Sequence, residues 1–221
     1  MASHLPRAVV HEGGLGAALM YFDFFSIHSQ RTALRTAANC MRGVDNESFS
    51  QVMEIIPTLL NTVSYPDRTV VELSCLCWVR LTETYRGSSE NLEKAVSVEL
   101  LEKMMALIPV PGHTNVVRPS TFTDILRTFR MVAKGSPKLG LELLKLDVVD
   151  SLYQVLTGAP NKPEENISVL THVSVDSKWR DSIYAILRIF VDVLPSLPRG
   201  KCFESLIKKW KQMNSTKKKH I

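Results

Sequence analysis

The chain has 221 residues, 45% of them hydrophobic, enough to bury a sizeable core without disulfides or metals. Its formal charge of +5 is lodged at the C-terminal end: residues 201–221 hold seven lysines against Glu204, so residues 1–200 carry 20 basic and 21 acidic groups and are electrically balanced. No apolar run approaches the roughly 20 residues needed to span a bilayer, and Arg7, His11, Glu12 and Asp23 occupy the region where a signal peptide needs a clean apolar stretch. The expected location is therefore the cytoplasm, the nucleus or both, with no membrane partner.

Helical periodicity predicts a first unit with a helix near residues 14–25 and a longer one near 29–42, closed by Gly43, with no opening helix of its own. In the second unit Asn46 or Ser48 is placed to cap a short helix ending before Pro57. A further helix then runs to about Val63, and Pro66-Asp67 open a long one reaching Tyr85. The third unit reads as helices over 88–97, 98–108 and 120–134, the last preceded by a proline-bounded loop. In the fourth, Pro137 starts a helix to Leu146, Asp147 caps the next to about Thr157, and the last runs over 178–194 after a long polar loop from Gly158 to Asp176.

This helical unit recurs about every 40 residues. Units of that length, each with an apolar face that cannot be buried alone, predict an all-α fold: an armadillo/HEAT-like right-handed α-solenoid of about four repeats over residues 1–200. Residues 201–221, with Lys208-Lys209-Trp210-Lys211 and Lys217-Lys218-Lys219, read as a lysine-rich, disordered tail.

The residues that most often carry chemistry do not converge. Cys75 and Cys77 lie two apart on a predicted helix, so their side chains point about 200° apart and cannot share an ion or a disulfide. Cys40 and Cys202 have no ligand-spaced neighbour, and none of the six histidines sits at a zinc-binding interval from another. All four cysteines are expected to be reduced core thiols. Gly13-Gly14-Leu15-Gly16 lacks both the preceding strand and the G-x-G-x-x-G spacing of a dinucleotide loop and reads as the turn that opens a repeat. No catalytic residue, cofactor or metal site is expected.

Charge gives a sharper signal. Ten of the thirteen arginines (Arg31, Arg35, Arg42, Arg68, Arg80, Arg86, Arg127, Arg130, Arg180, Arg188) fall in or at the end of the third helices of the four units. Where those helices line the inner face of a stack, they make a basic ridge and leave an acidic back. Arg35, Asn39 and Arg42 are spaced i, i+4, i+7, on one helical face.

A longer pattern resembles a known family. Glu12-Gly13-Gly14-Leu15, Tyr21-Phe22-Asp23-Phe24-Phe25-Ser26, Gln30-Arg31-Thr32-Ala33 and Ala37-Ala38-Asn39-Cys40 are similar to the armadillo region of the ubiquitin-fusion-degradation class of HECT-type E3 ubiquitin ligases. Cys75-Leu76-Cys77, Ser136-Pro137-Lys138, Asp150-Ser151-Leu152-Tyr153 and Leu194-Pro195-Ser196-Leu197-Pro198 extend the resemblance over roughly residues 8–204. It implies a receptor that holds protein substrates and ubiquitin, with an E2 engaged only through a HECT domain. No such domain follows Phe203 in this sequence, so thioester transfer is not expected of the chain itself. Armadillo repeats commonly carry a groove-lining asparagine where Asn39 stands, and 39 residues on Trp78 takes that place. The expected partner-binding set is Arg35, Asn39, Arg42, Trp78, Arg127 and Arg130. The alternative is a stand-alone armadillo adaptor for nuclear transport or nucleic-acid-associated assemblies. It is disfavoured because transport grooves that read basic signals need acidic walls and repeated tryptophan-asparagine pairs.

Overall fold

The computed structural model describes residues 4–109, 117–157 and 177–193, and the lysine-rich tail and the loop from Gly158 to Asp176 lie outside them. Eleven α-helices occupy the described residues, with no strand among them. They are α1 (His4–His11), α2 (Gly14–Leu19), α3 (Ile27–Cys40), α4 (Phe49–Thr62), α5 (Arg68–Tyr85), α6 (Ser89–Ala95), α7 (Val98–Met105), α8 (Pro119–Gly135), α9 (Pro137–Lys145), α10 (Val148–Thr157) and α11 (Ser177–Val193).

The helix starts follow local chemistry. Ser26, Asp67, Ser88, Ser97 and Ser136 each stand just before a helix and accept a hydrogen bond from a backbone N–H in its first turn. Pro119 and Pro137 open α8 and α9, where a missing N–H costs no intrahelical bond.

The helices form a solenoid of four units. Third helices α3, α5, α8 and α11 pack on one another in sequence as an inner ladder. Outside it α2 packs on α4, α4 on α6, and α7 on α9. Each helix buries one face in a core continuous from Val10 to Phe190, including Leu34, Trp78, Leu81, Tyr85, Phe122 and Phe129.

Three expectations need correction. First, the opening unit has its first helix: α1 packs against α2, α3 and the short 3-10 turn Met41–Gly43. Gly43 makes this possible, because a Cβ there would stand 2.3 Å from Arg7 N and 2.4 Å from Pro6 C. Gly135, at the end of the third unit's third helix, is less constrained: its would-be Cβ meets the movable tip of Leu92 at 2.3 Å and backbone only at 3.0 Å, at Arg86 O. Gly13, in the left-handed conformation at φ 79°, thus joins α1 to α2 and does not open a repeat.

Second, Pro57 does not divide the second unit's outer helices. It sits exposed inside the continuous helix α4, where its ring removes only the bond to Met53 O. Ser48 precedes α4 but its hydroxyl is engaged with Asp45. Third, the helix near 14–25 ends at Leu19, and a 3-10 turn over Phe22–Phe24 follows. Of that aromatic run only Phe22 is buried, so Tyr21 and Phe24 stand in solvent, Phe24 at 88% exposure.

Candidate functional site: a basic groove on the inner ladder

The inner ladder carries most of the described arginines, and half of those have structural duties. Arg31 of α3 binds Asp67 at the start of α5, Nε to Oδ1 3.1 Å and Nη2 to Oδ2 2.5 Å. Arg68 and Arg118 both reach Glu72 of α5. Arg127 of α8 pairs with Glu83 of α5 and stands 3.6 Å from Asp124 of its own helix. Arg80 donates from Nη1 to Ala38 O of α3. Arg31, Arg80 and Arg127 therefore tie the first unit to the second and the second to the third, and an arginine fork suits that task because it fixes both partners' orientation.

Two of these ties, Arg80 and Arg127, also border a site. A groove of about 640 Å³ opens across α5 between the end of the first unit and α8. Arg42, Arg80, Arg86 and Arg127 line it, with Glu83 and Thr84, over a floor that includes Leu76 and Val79. Arg127 is committed to Glu83, and neither Arg42 nor Arg86 has an ion-pair partner among the described residues. Burial, and after it the nearby Arg42 cation, lower the Arg80 guanidinium below its ordinary range. Cations are thus gathered with little compensation at one point of the fold. Burial raises the carboxyl pKa of Asp124, the i−3 neighbour of Arg127 on α8, and the Arg127 cation opposes the shift.

The structure brings together Arg42 and Arg127 from the sequence-predicted set. Arg35 and Asn39 are exposed on α3 but do not line the groove, and Arg130 is exposed on α8 outside it. The single-face spacing extends only from Arg35 to Asn39, since α3 ends at Cys40 and Arg42 belongs to the following 3-10 turn. Trp78 is a correction: it is wholly buried and unavailable to a partner. Its indole donates to Leu59 O at 3.3 Å, a carbonyl in the last turn of α4 that Thr62 and Ser74 hydroxyls also reach at 2.9 and 3.0 Å. The α4 end leaves carbonyls without helical donors, and α5 turns its donors toward them. The count of 39 residues from Asn39 lands on the α5 face turned toward α4. Arg80 and Arg86 are the groove arginines absent from the expected partner-binding set. Their signal was the arginine density alone, because two neighbouring helix faces must be known before Arg86, one residue past α5, can be placed opposite Arg42.

Other clusters fit less well as sites. Cys40, Cys75 and Cys77 are buried free thiols, and burial pushes Cys77 up to about 12 and Cys75 higher still. Cys202 lies outside the described residues. His11, Asp45 and Glu47 converge within 4.8 Å. The Arg7 guanidinium already stands 3.0 Å from Asp45 and 3.3 Å from Glu47, so a side-chain cation fills the place a metal would take.

Together the stacked units and the groove define a helical-repeat solenoid with a charged inner face. No protein-family model matches the chain. An engineered protein of known crystal structure shares this fold, with a TM-score of 0.64, 16% identity, and coverage of 95% of this chain and 82% of that one. Three relatives are E3 ubiquitin-protein ligase TRIP12 of Danio rerio (28% identical, 92% of this chain), E3 ubiquitin-protein ligase UPL3 of Arabidopsis thaliana (32%, 88%) and ubiquitin fusion degradation protein 4 of Saccharomyces cerevisiae (26%, 70%). The chain spans about 10% of the length of each. It is therefore related, over most of its own length, to one region of the ubiquitin-fusion-degradation class of HECT-type E3 ligases. No helix among the described residues is long and apolar enough to cross a membrane.

Proposed function

We propose that this chain is the substrate-receiving scaffold of a ubiquitin ligase, working in the cytoplasm or nucleus, and that its basic groove holds an acidic segment of the substrate. The observation that carries this reading is the gathering of Arg42, Arg80, Arg86 and Arg127 in one groove with Glu83 as its acidic member. A scaffold of this kind contributes to ubiquitin transfer by proximity. A substrate held on a rigid ladder presents its acceptor lysine to a catalytic domain at high effective concentration, which turns a bimolecular encounter into a nearly unimolecular one. Reading of basic transport signals is opposed by the sign of the groove.

Ubiquitin, whose usual recognition face is apolar and rimmed by basic groups, would be repelled by the groove. The exposed apolar residues Met20, Tyr21 and Phe24 suit it better. One titration tests both halves. A labelled acidic peptide and isotope-labelled ubiquitin are added to the wild-type chain, to Arg42→Glu with Arg86→Glu, and to Phe24→Ser. The double reversal should abolish peptide binding, leave ubiquitin binding and keep the helical circular-dichroism signal, since exposed substitutions usually shift stability by about 0.5 kcal/mol or less. Phe24→Ser should do the opposite. Unchanged peptide affinity in the double reversal removes the groove as a site.

A further inference from the structure

Resting on the groove as the substrate-receiving site, we propose that it reads a phosphorylated segment: one phosphoserine or phosphothreonine dianion, seated among Arg42, Arg80 and Arg86, is the feature that a substrate must carry. The arrangement asks for more negative charge than a carboxylate brings. The Arg127 guanidinium has Glu83 and Asp124 for partners, so its carboxylate requirement is met within the chain. Arg42 and Arg86 have no such partner among the described residues. Arg80 is held in place by the Ala38 carbonyl, a neutral acceptor, and feels Glu83 and Asp124 only through space, with no ion pair to either. Three guanidinia facing one cavity repel each other, and the group that relieves this best is compact, carries close to two charges and offers three acceptor oxygens. A phosphomonoester does so, with about −1.5 to −2 charge near neutral pH. It can take paired hydrogen bonds from more than one arginine fork at once. A single aspartate or glutamate offers half the charge and two oxygens. The Thr84 hydroxyl lies in the same lining as a further donor.

Dimensions and surroundings favour a single dianion over a polyanion. The groove, at about 640 Å³, has room for a phosphorylated side chain and the backbone beside it. Along the ladder the arginines are interrupted by acids, Asp67 and Glu72 toward one end of α5 and Glu83 and Asp124 near the groove. A nucleic-acid backbone, with a phosphate at each step, would meet these carboxylates as well as the arginines. No aromatic ring among the described residues lines the groove to serve as a stacking platform for a base. The apolar floor at Leu76 and Val79 suits an aliphatic neighbour of the phosphorylated residue.

The test measures fluorescence anisotropy of the full chain at near-physiological salt. The probes are a fluorescein-labelled acidic peptide with one central phosphoserine, the same peptide with serine or glutamate there, and a single-stranded oligonucleotide. The phosphopeptide should bind at least tenfold more tightly than either counterpart, and inorganic phosphate in millimolar amounts should compete. Arg42→Gln and Arg86→Gln should each erase the preference while leaving the weaker binding of the glutamate peptide. Arg35→Gln, on α3 outside the groove, should leave the preference intact. Arg80 is left unaltered because its bond to Ala38 joins two units. Equal affinity for the phosphorylated and glutamate peptides overturns the phosphate reading and leaves the acidic-segment reading standing. Binding of none of the peptides overturns both. Tighter binding of the oligonucleotide than of the phosphopeptide assigns the groove to nucleic acid and refutes the proposal.

Discussion

Trp78 and Arg80 lie two residues apart on α5 and end in opposite environments. Trp78 enters the core and donates to Leu59 O, whereas Arg80 reaches the inner groove and ties itself to Ala38. Truncating Trp78 to alanine should destabilise the chain by about 3–5 kcal/mol, the usual cost of emptying a large aromatic site, with the loss read by urea unfolding. A partner anchor would behave differently, losing affinity at unchanged stability. Asp67 gives a pH-dependent counterpart. Hydrogen bonds from Arg31 hold its carboxyl below the usual carboxylate range; partial burial opposes them, and the Val70 N–H reinforces them. A carboxyl whose folded pKa is depressed contributes stability above its unfolded value of about 4 and loses it as pH falls through the folded value. Between pH 6 and pH 3, therefore, the melting temperature of the wild-type chain should fall more steeply than that of Asp67→Asn. Parallel slopes would show that the Arg31–Asp67 pair is not coupled to folding.

Helix positions follow from short-range chemistry that the sequence displays openly, including the serine and aspartate caps before α3, α5, α6, α7 and α9 and the prolines opening α8 and α9. The errors arise where tertiary contact decides. Proline usually ends a helix, yet on an exposed face Pro57 costs α4 one hydrogen bond and the flanking Ile55 and Leu59 still find the core. Helix α1 is amphipathic, with Val10 in the core, but at eight residues it is too short for periodicity alone to establish it, and its main partner surface is the backbone around Gly43. Gly43→Ala tests this reading. The added methyl group meets the backbone of Pro6 and Arg7 and not a flexible side-chain tip, so α1 must shift or lift away. Stability should fall by about 1–3 kcal/mol, as for overpacking elsewhere, with amide exchange quickened in residues 4–11. If exchange in α1 is unaltered, the close approach is not what seats it. The basic ridge was legible as arginine density, but its division into ties and free cations was not. Arg31 and Arg42 look alike in sequence and differ only in whether Asp67 or open groove faces them.

On the scale of the whole molecule, the ladder α3–α5–α8–α11 makes stability a matter of neighbours. In a stack, each unit's free energy is its own plus the interfaces on either side, so a unit with one interface opens before a unit with two. Helix α5 packs against α3, α4, α6 and α8 and buries ten of its eighteen residues, among them Trp78 and Tyr85. Its amides should exchange only through global opening. Helix α1 rests on α2, α3 and the Met41–Gly43 turn, fastened at its exposed side by Arg7 to Asp45 and Glu47. Exposed pairs of this kind contribute about 1 kcal/mol or less, so α1 should exchange through local opening at a far lower free energy. Native-state hydrogen exchange in a series of low denaturant concentrations separates the two. Amides of α5 should show the full denaturant dependence of global unfolding and those of α1 almost none. The groove lies between these extremes. Arg42 belongs to the terminal unit, whereas Arg80 sits in α5 and Arg86 follows its last turn, so a ligand seated among them ties the less stable unit to the more stable one. Saturating phosphopeptide should accordingly slow exchange in α3 and the Met41–Gly43 turn more than in α5. Protection confined to α5 would mean that the ligand does not engage Arg42, and equal exchange of α1 and α5 without ligand would mean that the solenoid opens as one cooperative body.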